Sequence, residues 1–268
     1  RDRLRSRGLG DVYKRQFKNR DLRLTETVMS SGYKFKSTIT GSRPLNVQDV
    51  ASDAKGINPP FLTSDGNAKN VTGYHIRLGV DTTYVQGDSE VGLVIMRYAE
   101  ALLSYAEAAE ELGKCDDAVL EKTLKPLRER AGVKYVKPVT VDPNFTDYGY
   151  ALTPVLQEIR RERRVELALQ GYRLDDLMRW GGAKVIVNKR GRGAYLGKDA
   201  VLYKSFTEEQ QSKLTTILTD GSQWMDPLQE LLPNGYQFVA GRDYLLPIPP
   251  SELKLNRQMK QNPGWGEE

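Results

Sequence analysis

The chain has 268 residues, of which 39% are apolar and 28% charged, the composition of a globular protein that buries a sizeable core. Its net charge of +5 would suit an acidic partner such as nucleic acid. Residues 1–16 hold six basic and two acidic residues, which leaves the rest of the chain at a net charge of +1. Charge therefore gives no support for nucleic acid binding. No run of 18 apolar residues is present, and the single cysteine excludes an internal disulfide.

The first ninety residues divide into two segments. Residues 1–16 lack an initiating Met and show no apolar periodicity, so we interpret them as a non-native segment. Residues 17–90 are rich in Gly, Pro, Ser, Thr and Asn and are predicted to be loop-rich. Within them, residues 19–28 predict a helical turn or a strand, and residues 33–36 and 71–78 alternate as short strands do.

Residues 91–132 show the clearest helical pattern. A second helix is predicted from Asp116 or Asp117 to Ala131, and Pro126 should bend or split it near residues 122–125. The pair resembles one tetratricopeptide repeat, which cannot bury its own face, so neighbouring repeats are expected beside it. In residues 94–112 a stripe at three- and four-residue spacing is predicted to face the core: Ile95, Tyr98, Ala99, Leu102, Tyr105, Ala106 and Ala109.

Residues 153–181 predict two core helices. Thr153 is placed to cap the first helix and Pro154 to start it, and Gly171 should separate it from a shorter helix that ends near Gly181. The apolar arc of the first helix contains charged residues, which are costly in a core unless each finds a partner. Because acids and bases occur in balanced numbers with no nucleophile beside them, we interpret the set as a structural ion network. Its members are Glu162, Arg163, Glu166, Arg173 and Asp176.

No catalytic, metal or cofactor site is predicted. The only histidine, His75, lies in a strand-like pattern, and one His and one Cys make a zinc site implausible. Asp175 and Asp176 are adjacent, so on a helix they point in different directions and do not form the facing acid pair of a glycosidase. Residues 64–70 offer oxygen ligands without the spacing of a calcium loop.

Aromatic side chains in predicted loops are the best candidates for a binding site. The C–H faces of sugar rings pack on aromatic rings, and polar neighbours bind the sugar hydroxyls. Trp224, flanked by Gln223 and Asp226 in an irregular insertion at 188–240, is the strongest candidate. The alternative is that each ring fills the core beneath its own loop. The further candidates are Tyr84, Tyr74, Tyr33 and Phe61.

Four stretches of the chain together resemble the SusD/RagB family. They are NRDLRLTETV at 19–28, RYAEALLSYAEAAEELG at 97–113, ERRVELALQGYRLDDLMRWG at 162–181 and YLLPIPPSELKLNRQMKQNPGW at 244–265. The resemblance implies a mainly α, SusD-like fold, with a tetratricopeptide-like helical scaffold, long irregular loops and a few short strands. Residues 17–268 would form its C-terminal part, ending in a tail at 241–268, and the N-terminal part would be missing.

The resemblance also implies a function. Members of this family are outer-membrane lipoproteins that bind glycans at the cell surface and deliver them to a TonB-dependent transporter of the SusC type. The expectation is therefore a surface-exposed binding protein, not an enzyme, attached to the outer membrane through a lipid anchor that this fragment lacks. A helical-repeat adaptor or peptide-binding protein on the same scaffold is the alternative. Since sugar contacts vary among family members, no binding residue is carried over.

Overall fold

A computed structural model describes residues 19–28, 72, 76–79, 92, 94–199, 201–204, 207–209, 211 and 223–266. In these residues, two isolated antiparallel bridges, Val28–Ile76 and Tyr195–Trp224, stand in place of strands. The mainly α class is therefore confirmed, while the predictions for residues 1–16 and 33–36 lie outside the described residues. The helices are α1 (Leu22–Thr27), α2 (Tyr98–Glu111), α3 (Asp117–Lys122), α4 (Leu124–Arg130), α5 (Pro154–Glu166), α6 (Arg173–Arg179), a 3-10 helix (Ala183–Val185), α7 (Val201–Lys204) and α8 (Pro250–Leu255).

Local sequence signals set the ends of the main helices as predicted. The Thr153 hydroxyl accepts a hydrogen bond from the Leu156 amide at 3.0 Å, and Pro154 begins α5. Thr123 separates α3 from α4, three residues before Pro126. Gly171, with φ of +90°, lies in the turn between α5 and α6, where a left-handed conformation favours glycine.

The main core lies between α2, α3, α4 and α5. Three side chains of this core are fully buried: Leu103 of α2, Leu124 at the start of α4 and Ile159 of α5. Burial of an apolar side chain of this size stabilises the fold by about 1.5–3 kcal/mol. The cluster comprises Ala99, Leu103, Ala106, Leu120, Leu124, Leu127, Ile159 and Leu167.

The face of α2 that packs into the core differs from the predicted stripe. Ala99, Ala106 and Ala109 are buried as expected, but Tyr98 and Tyr105 are 78% and 55% exposed. Leu103, which the predicted stripe omits, is fully buried. The prediction was wrong because α2 is apolar on two sides, and a period of 3.6 residues does not tell which side faces the core.

A second cluster fixes α6 and the segment before α5. Tyr148, Leu177 and Trp180 are buried together, and the Arg160 guanidinium lies 4.5 Å from the centroid of the Trp180 ring. The Trp180 indole N–H donates to the carboxylate of Glu107 in α2. These contacts attach α6 to both α2 and α5. None of the described helices is long and apolar enough to span a bilayer.

Candidate functional site

Two exposed rings meet in the insertion that follows α6. Tyr195 and Trp224 form an isolated antiparallel bridge, in which the Leu196 amide donates a hydrogen bond to the Gln223 carbonyl at 2.8 Å. The ring centroids are 5.4 Å apart and the ring planes are inclined at 60°. Tyr195 is 37% and Trp224 42% exposed. We call this pair of rings the aromatic corner.

The backbone beside the aromatic corner is firmly held. Leu196 and Met225, each next to one of the two rings, are buried. Asp226 is buried as well, and its carboxylate accepts hydrogen bonds from the Arg190 Nε at 2.8 and 2.7 Å. Arg190 also donates to the carbonyl of Leu232 at 3.0 Å, so one guanidinium connects three stretches of the insertion. The rings are thus carried on a fixed base.

Polar atoms form one edge of the aromatic corner. The Tyr195 hydroxyl lies 2.8 Å from Gln223 Oε1 and 3.3 Å from Asp199 Oδ1. A Cβ at Gly197 would come within 2.3 Å of that hydroxyl, so only glycine permits this approach. Gln223 itself has φ of +64°, an unfavourable conformation for a non-glycine residue and one that is often found at binding sites.

Sequence reasoning identified half of this arrangement. Trp224, the strongest predicted candidate, is exposed as a binding residue must be, whereas Tyr33, Phe61, Tyr74 and Tyr84 lie outside the described residues. Tyr195 is not among the predicted candidates. No local pattern pairs it with Trp224, because the contact joins segments nearly thirty residues apart.

The charged residues predicted as an ion network occupy a different place, inside the helical core. Glu162 accepts hydrogen bonds from Arg23 at 2.5 Å and from Arg128 at 3.0 Å. Glu166 accepts from Arg23 at 2.8 Å, Arg97 at 3.0 Å and Arg130 at 2.5 Å. Both carboxylates are buried. The two glutamates of α5 are thereby connected to α1, to α4 and to the segment before α2.

The remaining predicted members divide into a pair and a separate residue. Arg163 Nε donates to Asp176 at 2.8 and 2.9 Å, and both side chains are buried. Arg173, in contrast, forms no ion pair with any described residue. It donates to the Tyr148 hydroxyl at 3.4 Å, beside the second core cluster. Arg173 is the first residue of α6, and its side chain points to the second core cluster instead of the carboxylates.

The electrostatics of the network do not suit proton transfer. Burial by itself raises the pKa of Glu166, but hydrogen bonds from Arg130, Arg23 and Arg97 outweigh burial and hold the pKa below its ordinary value. Glu166 is consequently ionised and fully engaged at neutral pH. Burial and the nearby Glu110 and Asp116 raise the pKa of the Cys115 thiol to about 11, which leaves it protonated and unreactive.

Part of the network borders a cavity of about 920 Å³. Arg97 and Arg130 line it together with Val94, Ile95 and Leu169. The guanidinium of Arg97 is already used, since its three nitrogens donate to Gln170 at 2.8 Å and to the side chain and carbonyl of Glu166 at 3.0 and 2.8 Å. The cavity therefore offers no free anion clamp at Arg97. Among the described residues, no three His, Cys, Asp or Glu side chains are grouped as metal ligands.

The chain is similar to two solved structures. The solved structure named "selenomethionine BT4246" is 26% identical to the chain with a TM-score of 0.55, and the match covers 91% of this chain and 38% of that one. The crystal structure of a SusD homolog from Bacteroides thetaiotaomicron VPI-5482 is 22% identical with a TM-score of 0.43, covering 91% and 41%. The chain thus spans about two fifths of the length of these structures. A search of curated proteins gave no match.

The model of the SusD family (SusD_RagB) matches residues 8–265 of the chain. This range includes all four stretches on which the resemblance was based. It begins inside residues 1–16, which we interpreted as non-native. Since the match extends over nearly the whole chain, the protein belongs to the SusD family.

Proposed function

We propose that this chain is part of a non-catalytic protein that binds an oligosaccharide at the cell surface and delivers it to a SusC-type TonB-dependent transporter. In the complete protein a lipid anchor would hold it on the outer membrane. The observation that carries the proposal is the family match over residues 8–265. The aromatic corner supplies a surface on which the sugar could bind.

The chemistry of the aromatic corner suits a carbohydrate. A sugar ring presents an apolar C–H face that packs on the indole of Trp224, while its hydroxyls can bind to polar side chains at the edge of the contact. Asp199 and Gln223 provide carboxylate and amide oxygens there. Glu162 and Glu166 of α5 are occupied by arginines and are not free to bind a sugar.

Affinity electrophoresis on gels that contain individual polysaccharides tests the proposal. We expect the chain to be retarded by at least one polysaccharide without releasing soluble sugar. Release of sugar would identify an enzyme instead and would refute the proposal. Delivery is tested separately with the tagged full-length protein, which should co-purify from outer membranes with a TonB-dependent transporter.

An exposed stripe on α2 favours a second candidate, the helical adaptor or peptide-binding protein. Exposed residues recur about once per turn along one side of α2 and just beyond its end. They are Tyr98, Ala101, Tyr105, Ala108 and Leu112. Large and small residues in alternation form the kind of surface that receives another helix. If no polysaccharide retards the chain, and peptides selected on it lose binding in a Tyr98→Ser/Tyr105→Ser variant, the adaptor is the better explanation.

A further inference from the structure

The angle between the two rings of the aromatic corner limits the ligand that fits it. A flat, extended polysaccharide backbone packs on aromatic faces that share one plane. Tyr195 and Trp224 do not share a plane, because their rings are inclined at 60° with only 5.4 Å between centroids. A ligand that touches both rings must therefore present two apolar faces, in different orientations, within the space of one small unit. A single sugar unit at the end of a chain or of a side branch meets this requirement.

The polar edge of the corner adds an acceptor for one such unit. The Tyr195 hydroxyl carries a single proton, yet it lies within hydrogen-bonding distance of both Gln223 Oε1 and Asp199 Oδ1. It donates to one of the two oxygens, and the other keeps its capacity to accept. A sugar hydroxyl beside the rings can donate to that oxygen. The absence of a Cβ at Gly197 leaves room for these atoms, and the contacts between Arg190 and Asp226 fix the neighbouring backbone before a ligand arrives.

We propose that the aromatic corner recognises one pyranose unit, at a chain end or a branch, and that Tyr195 is a binding residue equal in importance to Trp224. The inference rests on the proposed glycan-binding function and gives it a ligand class. It assigns stacking to the two rings and hydroxyl recognition to the edge formed by Gln223 and Asp199. A ligand of this class gains little from additional backbone sugars, because only one unit touches the corner.

The test is a titration calorimetry series with oligosaccharides of increasing length, prepared from a polysaccharide that retards the parent chain. We expect affinity to change less than about threefold from the disaccharide to the hexasaccharide. Trp224→Ala and Tyr195→Ala should each weaken binding about tenfold, and the double variant Gln223→Ala/Asp199→Ala, which keeps both rings but removes both acceptor oxygens, about threefold. Tyr236→Ala is the matched control, since Tyr236 lies in the same insertion and is exposed but is not part of the corner.

Each result has a distinct meaning. Affinity that rises tenfold or more with length would overturn recognition of a single unit. Parent-like binding by both alanine variants, with unchanged far-ultraviolet circular dichroism, would overturn the site while leaving glycan binding in place. Parent-like binding by Gln223→Ala/Asp199→Ala alone would overturn the role of the polar edge. If the parent chain is retarded by no polysaccharide, the proposed function itself fails and the inference fails with it.

Discussion

The carboxylates of α5 and the aromatic corner serve opposite purposes in the same chain. Around Glu166, three arginines approach a single buried carboxylate to within 3.0 Å. At the corner, Tyr195 and Trp224 keep more than a third of their surface in contact with solvent. Charges buried in this way connect helices but are unavailable to a ligand, whereas exposed rings add little to stability and remain free to bind. Variants in the two regions should therefore affect different measurements.

The largest effect is expected from Glu166→Ala. The substitution removes a partner from Arg23, Arg97 and Arg130, and loss of one member of a buried pair costs about 3–5 kcal/mol. Arg23 keeps Glu162 and Asp21 as partners, so we expect a loss near the lower end, about 3 kcal/mol. Urea unfolding followed by circular dichroism measures it. A free energy of unfolding equal to that of the parent would contradict the structural role of the network.

Glu121→Ala is the matched control for the preceding variant. Glu121 is also a helical glutamate with a basic partner, Lys125 at 3.4 Å, but its side chain is 62% exposed. Exposed pairs of this type contribute about 0.3–0.5 kcal/mol because solvent screens them. A loss as large as that of Glu166→Ala would show that burial is not what distinguishes the two sites.

Acid should remove part of the same stabilisation. Because the folded state holds the pKa of Glu166 below its ordinary value of 4.5, folding favours the ionised carboxylate. Its contribution is complete above pH 4.5 and is lost as the pH falls through the lower, folded pKa. We expect the parent to lose stability below pH 4.5 more steeply than Glu166→Gln, as measured by urea midpoints at several pH values. Parallel curves would argue against the assignment.

Trp224→Ala should leave stability intact and weaken binding. Loss of one stacked aromatic face costs about 1–3 kcal/mol of glycan affinity, since the ring is exposed and its removal leaves no cavity in the core. Affinity electrophoresis and a melting curve on the same sample separate the two quantities. A lowered melting temperature with unchanged retardation would reverse the roles that we assign to the two regions.

Two non-glycine residues with a left-handed backbone, one in each region, allow a further comparison. Leu169 follows α5 with φ of +63°, and Gln223 has φ of +64° beside the corner. Relief of this strain by glycine should stabilise each variant by less than about 1 kcal/mol, because the greater freedom of glycine in the unfolded chain offsets part of the gain. Leu169→Gly should bind as the parent does, while Gln223→Gly should bind more weakly because an acceptor is lost. Equal binding by both would show that Gln223 does not contact the ligand.

Local signals in the sequence were sufficient to predict much of the helical framework. Thr153 and Pro154 start α5, and Gly171 lies in the turn that follows it. Pro126 lies three residues after Thr123, where α3 and α4 separate. These features were predictable because each depends only on neighbouring residues. The face of α2 was assigned wrongly for the opposite reason. Which of two apolar sides becomes core depends on packing partners elsewhere in the chain.

The partners of the predicted site residues could not have been derived in the same way. Glu166 is predictable as a buried charge from its place on α5, but Arg23 and Arg97 lie 143 and 69 residues earlier in the chain. Arg173 was included in the network because of its spacing, yet α6 directs it towards Tyr148. Tyr195 likewise became a candidate only when the fold placed it against Trp224. Contacts between distant segments are thus where prediction from sequence ended.

The row of apolar side chains on α2 has a practical consequence for work with this polypeptide. Tyr98, Tyr105 and Leu112 form a contiguous exposed apolar surface, which promotes self-association in concentrated solution. Preparations of the isolated chain should scatter more light as concentration rises and should brighten a dye such as ANS while still fully folded. Tyr98→Ser/Tyr105→Ser should improve colloidal behaviour without lowering the melting temperature, which would make that variant the better starting material for crystallisation.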